Sequence, residues 1–276
     1  MDLHGADALV GGVQPGDLAR VTTRWGALVA RVRSSGEVAR GTAFVPMHWN
    51  DQFASDARVG ALVNPIVDPV SGEPEFKHTP ARIEPFHVAW HGFVLTRAPR
   101  DVRGLTWWAL ARGNGLLRYE IAGRSVPPDW CAFTQELLGC DPSGYLDYRD
   151  AAAGVYRAAR VVDGRLEACA FFSPRADLPS RAWLSSLFAR ARLEEAERAM
   201  LLAAAPATGM EDSGPIVCSC YGVGRETIVR AVARHALRSP REVGAHLRAG
   251  TNCGSCVAEI KTVISEAVLS ERGRPA

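Results

Sequence analysis

The sequence lacks the segments that would insert it into a membrane or direct it out of the cell. No apolar run is long enough to span a bilayer. The first residues, Met1 to His4, have neither the basic segment nor the apolar core of a secretory signal. Acidic and basic residues nearly balance, at a formal net charge of +2, so charge alone selects no class of partner. We therefore expect a soluble, cytoplasmic chain whose 276 residues form two or three small domains.

Catalytic motifs are also missing from residues 87–205, which contain no catalytic triad, phosphate-binding loop or paired-carboxylate site. Two strand-like segments, 156–162 and 165–172, flank an Asp-Gly pair, which is a preferred two-residue hairpin turn. Residues 183–205 have helical spacing. Three cysteines in this stretch have no paired spacing, and we interpret them as buried thiols: Cys131, Cys140 and Cys169.

The other four of the seven cysteines form two close pairs, Cys218-x-Cys220 and Cys253-x-x-Cys256, separated by thirty-two residues. Such pairs can bring four thiolates to one centre, as a tetrahedral sulfur site requires. The spacing alone permits an iron–sulfur cluster, a zinc site or unligated cysteines. A disulfide framework is disfavoured because nothing in the sequence indicates an oxidising compartment.

The residues around these pairs predict a small folded unit. Residues 216–217 are typical of a short strand, and glycines beside the second pair let backbone amides approach sulfur. Apolar residues at helical spacing predict a helix over 257–269, whose N-terminus favours the thiolates of the second pair. Two further helices are predicted, over 225–236 and from the Ser239 N-cap to Arg248. Fewer than sixty residues give a thin core, which a metal centre would stabilise.

This unit is mildly basic, with seven Lys or Arg against four Glu over residues 216–269. Six arginines lie on the two helices between the cysteine pairs: Arg225, Arg230, Arg234, Arg238, Arg241 and Arg248. A basic helix pair can be a DNA-binding helix-turn-helix, a solvated face or a docking surface for an acidic electron carrier. We disfavour DNA binding because the excess charge is small and the cysteine pairs give these helices another purpose.

The first eighty-five residues contain strand-like runs separated by turn signals, at 18–23, 27–32, 41–45 and 81–85. Short strands with no repeating helical unit predict a small barrel. Two segments interrupt the pattern, Pro46-Met-His-Trp49 and residues 64–77. Both carry more polar and aromatic residues than a loop needs, and we interpret them as a ligand-binding surface.

The C-terminal unit resembles a known family in its motifs. Ile216-Val-Cys-Ser-Cys-Tyr-Gly-Val and Gly250-Thr-Asn-Cys-Gly-Ser-Cys are similar to the bacterioferritin-associated ferredoxin type of [2Fe-2S] domain, over about residues 215–270. In that family a C-x-C pair and a C-x-x-C pair bind a two-iron cluster. The resemblance implies that the cluster ligands are Cys218, Cys220, Cys253 and Cys256, and it favours iron over zinc.

The N-terminal block, up to about residue 86, resembles the dinucleotide-binding domain of molybdopterin oxidoreductases, a double-psi β-barrel. The order Pro-x-His-Trp, then Asn, then Asp-Pro-x-Ser-x-x-Pro-Glu-x-Lys is closest to assimilatory nitrate reductases and related formate dehydrogenases. The resemblance implies that His48, Trp49, Asn64 and Lys77 contact the molybdopterin guanine dinucleotide. Trp49 can stack on a flat ring, Asn64 offers a donor and an acceptor, and Lys77 can meet a phosphate or a pterin oxygen. The alternative for His48 and Trp49 is an aromatic pair that closes the barrel core.

Together the two resemblances imply a multidomain α+β protein. Its expected parts are a molybdopterin dinucleotide-binding β-barrel (1–86), an α+β connecting domain (87–205), a linker (206–215) and a [2Fe-2S]-binding domain (216–270). The implied function is the cofactor-capping and electron-transfer C-terminal portion of a cytoplasmic assimilatory nitrate reductase. The cluster would relay electrons from ferredoxin, flavodoxin or an NAD(P)H-dependent reductase toward molybdenum, and neither nucleic acid nor membrane is an expected partner.

The catalytic half of such an enzyme cannot be located in this sequence. The family places its [4Fe-4S] cysteines, molybdenum-ligating residue and substrate funnel upstream of the barrel. We therefore expect a fragment, a split subunit or a truncated reading frame that is inactive alone and works with a catalytic molybdenum/[4Fe-4S] portion. The alternatives are a stand-alone [2Fe-2S] electron-transfer or iron-handling protein and a zinc-stabilised interaction domain.

Overall fold

The computed structural model describes residues 1–47, 49–113, 115–139, 144–206, 213–218, 221, 223–252, 254 and 256–272. Within these ranges the chain forms an N-terminal block of short strands, a central six-stranded sheet with helices on both faces, and a small helical C-terminal domain. This arrangement confirms the predicted multidomain α+β class. No helix in the described ranges is long and apolar enough to cross a membrane.

The N-terminal block pairs its short strands as two three-stranded sheets. Its elements are β1 (Asp2–Leu3), α1 (Gly5–Val10), β2 (Leu18–Thr22), β3 (Ala27–Arg31), β4 (Arg33–Ser34), β5 (Ala43–Phe44) and β6 (Arg82–Pro85). One sheet has the order β4-β1-β5 and the other β3-β2-β6. The four predicted strands are confirmed, the third in a shorter form. Among the described residues, hydrogen-bond ladders join these strands as two separate sheets and not as one closed barrel. The closed barrel therefore stays a prediction.

The central part is an antiparallel sheet of six strands in the order β10-β11-β12-β7-β9-β8. Its elements are β7 (Trp90–Thr96), β8 (Trp107–Gly113), β9 (Leu116–Gly123), α2 (Trp130–Leu138), β10 (Tyr145–Asp150), β11 (Val155–Val162), β12 (Arg165–Ser173), α3 (Arg181–Leu187) and α4 (Glu195–Met200). The predicted hairpin is confirmed, since Val162 pairs with Arg165. Asp163 and Gly164 between them have φ values of +51° and +80°, the left-handed conformation that this two-residue turn requires.

Helices cover both faces of this sheet because its inner strands send large apolar side chains to opposite sides. Phe93 and Phe171 stack with ring centroids 4.9 Å apart on the face that α3 covers. Phe172 packs on the other face against Trp130 of α2, at 4.8 Å. All seven residues of β7 are buried. The sheet therefore forms a core that is closed on both sides.

Residues 183–205, predicted as helical, form α3 and α4 with a break between them. The Leu193 N–H donates to the Gly164 carbonyl of the hairpin at 2.7 Å, and the Leu193 side chain is buried in the core. Glu194 then begins α4 through a reciprocal capping box with Glu197. The break follows from a tertiary contact, which helical spacing cannot reveal.

The N-terminal block and the central sheet share an apolar core. The indole N–H of Trp107 donates to the Val29 carbonyl of β3 at 3.1 Å, and both residues belong to one buried cluster. The Leu110 N–H of β8 also donates to the Phe53 carbonyl at 2.6 Å. The edge of the sheet is therefore fixed to the block, and the proposed domain boundary at residue 86 stays a prediction.

The C-terminal domain packs three helices against a two-stranded ribbon. Its elements are β13 (Ile216–Cys218), β14 (Val223–Gly224), α5 (Arg225–His235), α6 (Pro240–Leu247) and α7 (Val257–Arg272). Ile228, Val232 and Ile260 are fully buried between α5 and α7. The Ser239 hydroxyl accepts the Glu242 N–H at 3.3 Å, so the predicted cap of α6 is confirmed. All three predicted helices are present.

Candidate cofactor sites

Two cysteines of the predicted metal site, Cys218 and Cys256, lie together in the C-terminal core although thirty-eight positions separate them. Cys218 ends β13, and Cys256 directly precedes α7. Only 2% and 7% of their surfaces are exposed. Their side chains are hydrogen-bonded to each other, and neither forms a disulfide. The fold thus brings one member of each cysteine pair to one buried point.

Two glycines permit the backbone path around this pair. At Gly224 of β14 a Cβ atom would collide with the carbonyl oxygen of Ser213. Gly250 has a φ of +81° and donates its N–H to the Cys256 sulfur. The predicted approach of a backbone amide to sulfur is therefore present at Gly250.

The electrostatics of the pair fit a thiolate-bound metal centre. Burial raises the pKa of the Cys256 thiol, and the neighbouring Cys218 raises that pKa further. The N–H groups of Gly250 and of Cys256 itself act in the opposite direction. A metal cation deprotonates the thiols that coordinate it, and its charge would stabilise the buried thiolates that burial alone disfavours. The donor chemistry of the described half of the site is that of a thiolate centre.

The other two predicted ligands, Cys220 and Cys253, lie outside the described residues, so the four-cysteine set stays a prediction. In the part of the chain that the structure describes, no three or more His, Cys, Asp or Glu side chains converge as a metal site. Cys169 is fully buried in the central sheet, where burial raises its pKa to about 12. The prediction of a buried thiol is confirmed there. Cys131 is half-buried, and Cys140 lies outside the described residues.

Trp49 lines a cavity of about 200 Å³ between the N-terminal block and the central sheet. Its walls are mostly apolar, with three charged residues: Arg31, Arg118 and Glu120. Trp49 is 36% exposed, which does not match the alternative of an aromatic pair that closes a core. His48 lies outside the described residues. The cavity gives the Trp49 ring a partly open position where it can meet another flat group.

An ion-pair cluster beside this cavity is a feature that sequence reasoning missed. The Glu120 carboxylate accepts two hydrogen bonds from Arg181, at 3.1 and 2.7 Å, and lies 3.6 Å from Arg31. The Arg31 guanidinium also lies over the Trp107 ring, 5.2 Å from its centre. The cluster joins β3, β9 and α3. Its members come from three distant segments of the sequence, so no local sequence pattern predicts it.

Asn64 and Lys77 lie on an exposed loop that takes no part in lining the cavity. The Asn64 amide donates to the Glu75 carboxylate at 3.1 Å across the base of this loop. At the tip, Asp68 accepts the Ser71 N–H at 2.7 Å, and the hydrogen bonds from Ser71 and Val70 lower the Asp68 pKa. Lys77 is exposed and forms no ion pair with any described carboxylate.

Comparison with known proteins finds a matching domain family for each end of the chain. A model of the molydopterin dinucleotide binding domain matches residues 1–80, and one of the BFD-like [2Fe-2S] binding domain matches residues 216–266. The chain carries both domains. The two cofactor classes predicted from the sequence are thereby confirmed at the level of domains, and the Cys218–Cys256 pair lies inside the BFD-like domain.

Related proteins extend the likeness beyond these two domains. A nitrate reductase of Klebsiella oxytoca is 31% identical over 266 residues, which cover 96% of this chain and 30% of that protein. A nitrate reductase of Shewanella frigidimarina is 30% identical over 79 residues, 29% of this chain and 8% of that protein. The nitrogen fixation protein NifU of Leptolyngbya boryana is 39% identical over 62 residues, 22% of this chain and 30% of that protein. The predicted resemblance to nitrate reductases is confirmed, and the chain spans less than a third of the length of each of these relatives.

Proposed function

We propose that this chain is the cofactor-capping and electron-transfer portion of a cytoplasmic molybdenum oxidoreductase, with the reduction of nitrate to nitrite as its reaction. The observation that carries the proposal is the buried Cys218–Cys256 pair in a BFD-like domain, on the same chain as a molydopterin dinucleotide binding domain. The likeness to a nitrate reductase over 96% of the chain supports the choice of substrate.

In this proposal Cys218, Cys220, Cys253 and Cys256 hold the [2Fe-2S] cluster, which supplies one-electron transfer when it is bound. The described residues contribute burial and hydrogen bonding. Cys218 and Cys256 are shielded from water by the apolar core, and Gly250 aims its N–H at a ligand sulfur. Both features tune the reduction potential of such a cluster.

His48, Trp49, Asn64 and Lys77 are proposed to contact the molybdopterin guanine dinucleotide, which supplies the molybdenum chemistry when it is bound. Lys77 suits a phosphate or pterin oxygen because its ammonium is exposed and has no described carboxylate partner. The exposed ring of Trp49 suits stacking. The Asn64 amide already holds one donor toward Glu75, which leaves its carbonyl oxygen for the ligand.

The surface of the N-terminal block supports a large partner on that side. Ten of the fourteen exposed large apolar side chains among the described residues lie within residues 1–80. Ile66, Val67, Val70 and Phe76 on the loop that carries Asn64 and Lys77 are 46–94% exposed. Exposed apolar groups in this concentration mark a contact surface. We propose that a catalytic molybdenum/[4Fe-4S] portion covers it, and that the chain alone does not reduce nitrate.

The electron-transfer function is tested by spectroscopy of anaerobically purified protein. Absorption and EPR spectra before and after dithionite reduction should give the signal of a two-iron cluster, with iron and sulfide in equal amounts. A colourless protein that contains zinc would overturn electron transfer and favour the zinc-stabilised interaction domain.

The cofactor-capping function needs a separate experiment. Co-expression with the catalytic portion of a nitrate reductase should yield a complex that contains pterin and reduces nitrate, whereas either part alone should not. A cluster-bearing chain that never binds that portion would instead favour a stand-alone [2Fe-2S] protein. The likeness to NifU covers only 22% of the chain and offers no role for the N-terminal block.

A further inference from the structure

Helix α6 of the BFD-like domain carries an exposed basic stripe. The members of the stripe are Arg241 and Ala245, which are four residues apart and so lie on one side of the helix, and Arg248, which caps the C-terminal end of the helix with a φ of +61°. All three residues are exposed. The stripe begins in the first turn of α6 and ends at its C-cap, Arg248.

This stripe runs up to the cysteine loops. The Arg248 guanidinium lies over the Tyr221 ring, 4.5 Å from its centre, and Tyr221 directly follows Cys220 in the sequence. Two residues beyond Arg248, the Gly250 N–H donates to the Cys256 sulfur. A protein that rests on Tyr221 and Arg248 therefore contacts both segments that carry the predicted cluster ligands.

The positive charge of the stripe is not neutralised within the described structure. Neither Arg241 nor Arg248 forms an ion pair with a described carboxylate, whereas Arg225 at the far end of α5 is paired with Glu226 and Glu266. Arg234 and Arg238 are exposed as well, and the Glu242 carboxylate in the first turn of α6 accepts the Arg238 backbone N–H at 2.6 Å. Stacked rings of His235 and His246, 4.6 Å apart, hold the last turns of α5 and α6 side by side.

We propose that Tyr221, Arg241 and Arg248 form the docking surface for an acidic one-electron carrier protein. The inference rests on the proposed electron-transfer function and names the partner of the cluster site. One electron leaves the reduced carrier and enters the oxidised cluster, so no atoms are exchanged. The unpaired arginines steer the carrier by charge, and the Tyr–Arg pair supplies the residue types that dominate protein interfaces.

The test measures cluster reduction in the full chain by stopped flow, with an acidic flavodoxin in its fully reduced form as the electron carrier. The double variant Arg241→Glu/Arg248→Glu should lower the second-order rate constant by about tenfold or more at low salt. The difference should shrink in about 0.5 M salt, where exposed charges are screened. Lys261→Glu on α7 is the matched control, because Lys261 is exposed outside the stripe, and it should leave the rate nearly unchanged.

Reduction by dithionite checks that each variant retains a folded, reducible cluster. Arg241→Lys/Arg248→Lys keeps the charge and should retain most of the wild-type rate. Equal rates for the wild type and the double Glu variant, or an equal loss for Lys261→Glu, would overturn the docking surface and leave the electron-transfer function standing. Absence of a two-iron signal in the wild type would overturn both.

Discussion

The BFD-like domain and the N-terminal block hold their candidate sites in opposite ways. In the BFD-like domain, Cys218 and Cys256 belong to the apolar core. In the N-terminal block, Asn64 and Lys77 stand on an exposed loop, and Trp49 lies at a partly open cavity. The first site is enclosed by its own domain, whereas the second faces outward. Substitution of a predicted cysteine ligand should therefore affect folding of the BFD-like domain, whereas substitution of a residue at the second site should affect cofactor binding.

Loss of one cysteine ligand is the largest expected effect. Cys256→Ser should abolish the two-iron signal and loosen the BFD-like domain, because metal binding and folding are coupled in so small a unit. A structural zinc ion contributes about 10 kcal/mol or more to the folding of zinc-finger peptides, which are also small metal-dependent units. EPR spectra and limited proteolysis measure the two consequences. Cys131→Ser is the control, since Cys131 is half-buried in the central part, and it should keep the signal. A Cys256→Ser protein with an intact cluster would mean that the ligand assignment is wrong.

The closed central sheet and the exposed loop can be compared through two phenylalanines. Phe172 is 1% exposed and packs against Trp90 and Trp130. Phe172→Ala should lower the free energy of unfolding by about 3–5 kcal/mol, because it leaves a cavity. Phe76 is 46% exposed, and Phe76→Ala should change that free energy by less than about 0.5 kcal/mol. Urea denaturation measures both values. A large loss for Phe76→Ala would show that the loop is buried in the protein as it exists in solution.

Acid should destabilise the junction between the central sheet and the N-terminal block through His91. The pKa of His91 is lowered from 6.5 to about 4, mainly by burial and secondly by the positive charge of Arg31. The unfolded chain binds a proton at His91 near pH 6.5, whereas the folded chain binds it only near pH 4. The free energy of unfolding is therefore unaffected by His91 above pH 6.5, and it falls as the pH drops from 6.5 toward 4. The full pKa shift corresponds to a loss of about 2 kcal/mol between pH 7.5 and 5, which solvent screening reduces to about 1 kcal/mol. Urea midpoints across this range measure it, and His91→Leu should remove this part of the pH dependence. An unchanged pH profile in that variant would contradict the assignment.

Much of the BFD-like domain could be predicted from the sequence because its signals are local. The Ser239 cap, the Pro240 first turn and the apolar stripe of α7 each lie within one element, and the structure has all of them. The hairpin at Asp163-Gly164 is local in the same sense. Features that depend on distant partners were missed: the Glu120 cluster joins three segments, and the break before α4 follows from a bond between Leu193 and Gly164.

The same difference between local signals and distant contacts separates what the sequence predicted about the two candidate sites. The cysteine spacing predicted a shared centre, and Cys218 and Cys256 meet in the core. For the pterin face, the resemblance named Trp49, Asn64 and Lys77, but no pattern in the sequence could show that Trp49 lines a cavity with the central sheet while the other two project on a loop. That separation arises from chain segments that pack together only in three dimensions.

At the pterin face, substitution should affect cofactor binding more than folding. Lys77→Ala should alter the free energy of unfolding by less than about 0.5 kcal/mol, because the side chain is exposed. Trp49→Ala should lower it by about 1–2 kcal/mol, because the ring is only 36% exposed and lines the cavity. Each should nevertheless lower the pterin content of a complex assembled with the catalytic portion, because a stacking surface or a cation for an oxyanion is lost. Pterin released by acid and quantified by fluorescence measures this loss. Lys261→Ala is the matched control, because it removes the same charge from the BFD-like domain and should leave pterin content unchanged. Normal pterin content in both N-terminal variants would mean that the outward face binds protein alone.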